Sequence, residues 1–297
     1  IYIHVPFCKK RCIYCDFYTN TNLTPKKGYI DAVCKEISLR KSYIGDELIK
    51  TIYFGGGTPS LLDFNDFTAI FSSIRSNFRI DANPEITLEA NPDDLNEDYL
   101  RILSNQPFNR ISIGIQSFDD EELTFLNRRH SAEQAIKAVE LSKAYGFRNI
   151  SIDLMYGLPS QTMDIWKDNL DKAISLGIQH ISSYHLIYEE GTKLYKLLNQ
   201  GSIKTVDEEL SIEMFAVMND SLTSAGFEHY EISNFAKNGL YSKHNSSYWL
   251  AEKYLGLGPA AHSYNGENRS WNIASTVKYI EGIKQANPNQ EIEELDI

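Results

Sequence analysis

The chain has 297 residues, with 29 Lys and Arg against 40 Asp and Glu, a formal charge of −11. Its 42% apolar and 23% charged residues are ordinary globular values, which excludes a disordered chain. No run reaches the roughly 18 apolar residues of a membrane span, and the acidic balance excludes a broad nucleic-acid footprint, which needs clustered cations.

Short β-branched runs at 1–5, 51–54, 85–90, 110–115, 149–155 and 180–186 predict strands. Amphipathic stretches lie between them. Residues 29–41 place Ile30, Val33 and Ile37 on one face, and 61–78 follow Pro59-Ser60. Residues 131–145 open on a Ser131-x-x-Gln134 capping signal, and 163–176 end before Gly177 at a C-cap position. Strands alternating with helices predict parallel βαβ units. Six units predict an α/β fold of the incomplete (β/α)6, TIM-like barrel kind over 1–200, although periodicity leaves a flat sheet open. In either case the working residues belong at the C-terminal ends of the strands.

Beyond residue 200 an α+β extension (201–297) is expected. It opens with a helix over 207–225 whose stripe of Leu210, Met214, Val217, Met218 and Leu222 reads as core. A strand at 229–233, an aromatic segment at 244–249 and a Gly/Ala turn at 255–261 follow. The acidic tail 285–297 reads as a fraying terminus that has been cut off, and Ile1 in place of Met suggests trimming there too. The start carries no signal-peptide pattern, so the expected compartment is the cytoplasm.

Three of the four cysteines, Cys8, Cys12 and Cys15, fall within eight residues. Such a cluster in a reducing compartment points to metal or redox chemistry rather than disulfides. Three thiolates on one loop suit three corners of an iron–sulfur cubane, leaving one iron for a small molecule. The alternative is a closed zinc site, for which only His4 or Asp16 is near enough as fourth ligand. Lys9, Lys10 and Arg11 within the loop are expected to offset the charge and lower the thiol pKa values.

Other motifs carry two readings each. Gly55-Gly56-Gly57-Thr58 after a strand permits close backbone approach to a ligand, or is an ordinary turn. Glu89 at a strand end can accept from two ribose hydroxyls, or is simply solvated. Gln116 ends another strand with a group that both donates and accepts. Asp153 interrupts an apolar strand, and a buried charge there requires a ligand or a fixed partner. His244, in His244-Asn245-Ser-Ser-Tyr248-Trp249, is either an axial haem ligand between aromatics or a packed core histidine. His185 and His262 fall at strand ends that could face a cavity, and His4 reads as structural.

The cysteine triad with Tyr14 before its last member resembles the radical S-adenosylmethionine (SAM) superfamily. Tyr2-Ile-His-Val-Pro-Phe-Cys8, Phe54-Gly-Gly-Gly-Thr-Pro-Ser60, Ser112-Ile-Gly-Ile-Gln-Ser-Phe118, Asp153-Leu-Met-Tyr-Gly-Leu-Pro159 and the His244 motif together resemble its HemN/HemW family, from Ile1 to about Tyr279. That family holds oxygen-independent coproporphyrinogen III oxidases and haem-chaperone relatives, whose members usually continue into a further C-terminal domain. The resemblance implies a [4Fe–4S] cluster on Cys8, Cys12 and Cys15. It implies SAM contacts from Tyr2, Tyr14, Gly56, Gly57, Thr58, Glu89, Gln116, Arg128 and Asp153. Arg128 would pair the SAM carboxylate, a task for which neighbouring Arg129 is the other candidate.

Family oxidases carry a fourth cysteine where this chain has Phe17. The departure puts oxidase activity in doubt and resembles the haem chaperones, where His244 would meet haem and haem-requiring proteins would be partners. Three functions stay open: a haem chaperone with a SAM-competent cluster, a coproporphyrinogen oxidase, or another radical SAM enzyme such as a methyltransferase or a haem-degrading protein.

Overall fold

The structure, a computed structural model, describes residues 1–288 and 290–295. The β/α part runs β1 (Tyr2–Val5), α1 (Lys26–Leu39), β2 (Ile49–Gly56), α2 (Phe64–Asn77), β3 (Ile80–Ala90), α3 (Glu97–Leu103), β4 (Arg110–Gln116), α4 (Asp120–Phe125), α5 (Ala132–Ala144), β5 (Ile150–Tyr156), α6 (Met163–Ser175), β6 (His180–His185) and α7 (Lys193–Asn199). Strands β1 to β6 lie side by side in chain order and all parallel, whereas a doubly wound sheet reverses order part-way. Parallel connections are right-handed, so unreversed order stacks the helices on one face. The sheet stays open, since β1 and β6 do not pair with each other. This is the incomplete barrel expected, not a closed one.

Alternation along the strands then sorts the side chains. One parity, including Phe54, Leu88, Ile111, Ile113, Ile152 and Ile181, is buried in the core with the helices. The other parity is polar: Tyr53, Glu89, Arg110, Ser112, Asp153, Ser182 and Tyr184 line a cavity. A parallel sheet covered on both faces would instead read as continuous apolar runs. The helix signals hold locally. Ser131 and Gln134 form a reciprocal capping box at α5, and Gly177, with φ +57°, follows the end of α6.

Past residue 200 come α8 (Glu208–Ser224), β7 (Glu228–Glu231), β8 (Asn234–Ala236), α9 (Lys243–Trp249), β9 (Gly256–Leu257), β10 (His262–Tyr264), β11 (Asn268–Asn272), α10 (Thr276–Lys284) and β12 (Gln290–Glu294). This segment extends both edges of the main sheet: β8 pairs antiparallel with β6, and β9 parallel with β1. Met214, Met218 and Leu222 of α8 are buried, and Trp166 Nε1 donates to Met214 O at 2.9 Å. The strand expected at 229–233 is present as β7, one arm of a β7–β8 hairpin, and the aromatic segment 244–249 is helical. One local expectation is corrected: the turn at 255–261 contains β9, which forms on the edge that β1 offers. Residues 290–294 of the tail are not frayed: β12 pairs antiparallel with β11, setting Glu293 opposite Arg269. Asn289, Asp296 and Ile297 of that tail lie outside the described residues. No helix among the described residues is long and apolar enough to cross a membrane.

Glu36 of α1, fully buried, joins these parts. Its carboxylate accepts from Tyr279 Oη (2.6 Å), Asn272 Nδ2 (2.7 Å), Gly258 N (2.9 Å) and Arg40 Nη1 (3.3 Å). Removing one partner from a buried charged network leaves the others uncompensated. Glu36→Ala is therefore expected to lower unfolding free energy by about 3–5 kcal/mol in chemical denaturation, and a loss under about 1 kcal/mol would contradict this role.

Candidate functional site

The cysteine loop leaves β1 over the C-terminal ends of the strands and is tied down at several points. Cys8 N donates to Asn20 O (3.0 Å), Ile13 N to Leu126 O (3.3 Å) and Leu194 N to Ile13 O (2.9 Å). Ile13 is buried with Leu126, Met155, Leu158, Leu186 and Leu194, so the residue between Cys12 and Tyr14 is the loop's apolar anchor. All three thiols line a cavity of about 420 Å³, within the roughly 300–1,000 Å³ of small-molecule sites.

Tyr14, Gly56, Gly57, Thr58, Glu89, Gln116, Arg128 and Asp153 line the same cavity. Tyr2 does not: its hydroxyl bonds His4 Nδ1 (3.2 Å), and its ring stands beside Tyr53 and His244. Arg128 donates from Nη1 to Cys12 Sγ (3.3 Å) and from Nη2 to Asn91 Oδ1 (2.7 Å) and Gly114 O. Arg129 turns away to Asp93 (2.8 Å) and Asp94 (3.2 Å), which separates the two arginines that the sequence leaves interchangeable. Gln116 sits at φ +71° on a β4–β5 bulge, a device that re-aims a side chain.

The three glycines are needed by the protein itself. A Cβ on Gly57 would lie 2.7 Å from Phe7 O and 2.8 Å from Val5 O, so only glycine lets β2 end against the cysteine loop. Gly56, at φ +103°, would drive a Cβ into the His4 ring, and its N–H donates to Glu89 Oε2 (3.2 Å). Sequence reasoning missed Tyr53, Asn91, Arg110, Ser112 and Tyr184, which also line the cavity. Their signal was the polar parity of the strands.

Burial raises Cys15 to about 11 and lifts Cys8 above its usual value, and neighbouring thiolate charge adds to both. The expected lowering by the loop cations is thus outweighed; Lys9 moreover pairs with Asp94 at 2.7 Å. A cationic centre bound there must displace protons. The donor set suits such a centre: three thiols open to one cavity, with a guanidinium on one of them. His4, a candidate fourth zinc ligand, is engaged at both ring nitrogens by Tyr2 and by Tyr18 O (2.9 Å). Among the described residues no three His, Cys, Asp or Glu side chains converge on a single metal ion.

His244 lies one layer behind the cavity wall and is 2% exposed. Nδ1 meets Thr51 Oγ1 (2.7 Å), Nε2 meets Tyr248 Oη (2.9 Å), and the ring stacks on Tyr53 at 4.9 Å. Tyr53 in turn donates to Glu89 Oε1 at 2.8 Å, so the motif braces a cavity carboxylate. His185 lines the cavity, whereas His262 stacks on Trp271 in the β10–β11–β12 sheet.

Burial raises Glu89 to about 7 and Asp153 to about 6, with Arg110 and the hydrogen bonds from Tyr53 and Ser112 opposing it. Unfolded carboxylates titrate near roughly 4, so between there and about 7 the folded state holds more protons and this contribution falls as pH rises. Glu89→Gln should therefore become progressively more stabilising, relative to wild type, from about pH 5 to about pH 8 in ligand-free thermal unfolding. A pH-independent difference would contradict the raised value.

The radical SAM superfamily pattern matches residues 2–190. The heme chaperone HemW of Bacillus subtilis (strain 168) is 37% identical over 286 residues, 96% of this chain and 76% of that protein. The HemW of Lactococcus lactis subsp. lactis (strain IL1403) is 36% identical over 281 residues, 94% and 73% of the two chains. The solved coproporphyrinogen III oxidase HemN from Escherichia coli superposes with a TM-score of 0.84 at 24% identity, over 99% of this chain and 71% of that one. At that identity the likeness speaks to the fold. The superfamily implies SAM and a [4Fe–4S] cluster as cofactors. On sequence matches of this extent, the chain belongs to the radical SAM superfamily and, within it, to the HemN/HemW family.

Proposed function

We propose that this protein is a haem chaperone of the HemW type, which carries a SAM-binding [4Fe–4S] cluster and passes haem to haem-requiring proteins. Phe17 carries the reading. It stands where the family's oxidases have their fourth cysteine, is 59% exposed and lines the cavity. A benzyl side chain offers neither a ligand nor a proton there, only apolar surface. The relatives named HemW favour the same choice. The reading includes a reducing compartment, the cytoplasm, where free thiols persist.

Cys8, Cys12 and Cys15 would hold the cluster. Arg128 would pair the SAM carboxylate with a forked, permanently charged group. Gly56, Gly57 and Thr58 would take the amino-acid end, Glu89 the ribose hydroxyls, and Tyr14, Gln116 and Asp153 the remaining polar edge. Tyr2 would act from behind, through His4 and Tyr53. When bound, the cluster supplies one electron to the SAM sulfonium. The chain's part is to orient and to exclude water, for which the half-closed barrel is suited. For His244 to ligate haem, Tyr248 must release Nε2 and the ring must leave its stack on Tyr53.

Two measurements test this. On cluster-reconstituted protein, Arg128→Met should weaken SAM binding about 10–100-fold by calorimetry, the worth of a charge-assisted pair; unchanged affinity would remove Arg128 from the site. Haem-loaded protein should transfer its haem to an apo-haem protein under anaerobic conditions. Failure to take up haem, or conversion of coproporphyrinogen to protoporphyrinogen, would overturn the chaperone reading.

A further inference from the structure

Of the seven histidines, most are already committed. His4, His180 and His244 have both ring nitrogens hydrogen-bonded, the last two with a serine or threonine on one side and a tyrosine on the other. His130 is 4% exposed, with Nε2 on Ile115 O (3.1 Å). His229 stacks on Phe235 and bonds Ile232 O, and His262 stacks on Trp271 away from the cavity. His185 differs. It ends β6, is exposed, lines the cluster cavity, and meets the edge of the Tyr156 ring at 5.1 Å, with no hydrogen bond to its ring nitrogens among the described residues. Beside it Gly157 has no Cβ, which would otherwise lie 2.5 Å from Nε2.

The surroundings of that imidazole are amphiphilic. Phe17 (59% exposed), Tyr184 (42%) and Ile187 (64%) line the same cavity, Phe17 from the cysteine loop and the other two from β6 and the segment after it. Exposed apolar side chains gathered around one opening mark a binding site more than a solvated surface. Lys10 and Arg11 also line the cavity, in a chain whose net charge is −11. Lys10 makes no ion pair among the described residues, and Arg11 holds only Cys15 O, at 3.0 Å. A free imidazole, apolar side chains and two cations together match one ligand chemistry: a flat iron macrocycle bearing carboxylates.

We infer that haem seats across the mouth of the cluster cavity, with His185 as its axial ligand and Lys10 and Arg11 on its propionates. The inference rests on the chaperone reading and names the site it requires. SAM and haem then share one opening, the former deeper against Glu89 and Arg128, the latter at the rim, with His244 left as a brace for Tyr53.

The test is an anaerobic hemin titration of the cluster-loaded protein, followed as a Soret difference spectrum against the same protein without hemin. Wild type should show a ligated-haem shift. His185→Ala should lose that shift and bind hemin about tenfold or more weakly, as loss of a metal ligand entails. The exposed control His262→Ala should match wild type. The Lys10→Glu/Arg11→Glu pair should weaken hemin but not its dimethyl ester, which lacks the carboxylates. A shift unchanged in His185→Ala, or one lost in His244→Ala with native circular dichroism, overturns the inference while the chaperone reading survives. No shift in wild type overturns both.

Discussion

Six parallel strands laid down in chain order leave one face of their sheet without helices, and everything at the site follows from that. The chain cannot roof this face with its own crossovers, so polar side chains occupy it: Glu89, Asp153, Arg110, Ser112 and Tyr53 in a single cavity. They do not fully satisfy one another. Arg110 Nε and, beside these side chains, Arg128 Nε are buried in the cavity lining without a hydrogen-bond partner among the described residues, and two carboxylates are raised by burial. Such a wall is unfavourable alone and becomes favourable with a polar ligand against it. Both signs of charge are present in it, as a zwitterion bearing an extra cation needs.

The cysteine loop acts on this wall from above. Its place is set by ordinary forces, with Ile13 buried in a small apolar cluster and backbone bonds to Leu126 and Leu194. Arg128 spans the two parts, reaching Cys12 with one nitrogen and the cavity wall with the other. Tyr53 carries a second linkage, from the His244 motif on α9 through to Glu89. Residues some 150 positions apart thereby fix one carboxylate, which explains why a motif of the extension matters to a cavity in the barrel.

Much of this was legible in the sequence. The β-branched runs, the Ser131 capping box and the three-cysteine spacing each have a local cause, and each local cause survives folding. What could not be read depends on long-range contact. β9 is two residues long and becomes a strand only because β1 offers it an edge, from about 250 positions away. β12 reads Gln-Glu-Ile-Glu-Glu, a mostly acidic segment whose order comes from β11. Gly56 and Gly57, expected as ligand contacts, line the cavity, and their lack of a Cβ is also required by His4, Val5 O and Phe7 O, which no local pattern shows. His244 stayed open in the sequence between a haem ligand and a packed core histidine, and its stacking and two hydrogen bonds emerge only once β2 and α9 are set together. His185, expected at a strand end that could face a cavity, does line it, with no hydrogen bond to its ring nitrogens among the described residues.

Electron paramagnetic resonance of the anaerobically reconstituted, reduced protein, recorded with and without SAM, is the most direct check on the central claim. The account predicts uptake of about four irons per chain, lost in Cys12→Ser, and a signal that changes on adding SAM because one iron has no protein ligand. Iron uptake that survives Cys12→Ser, or a spectrum indifferent to saturating SAM, would contradict it.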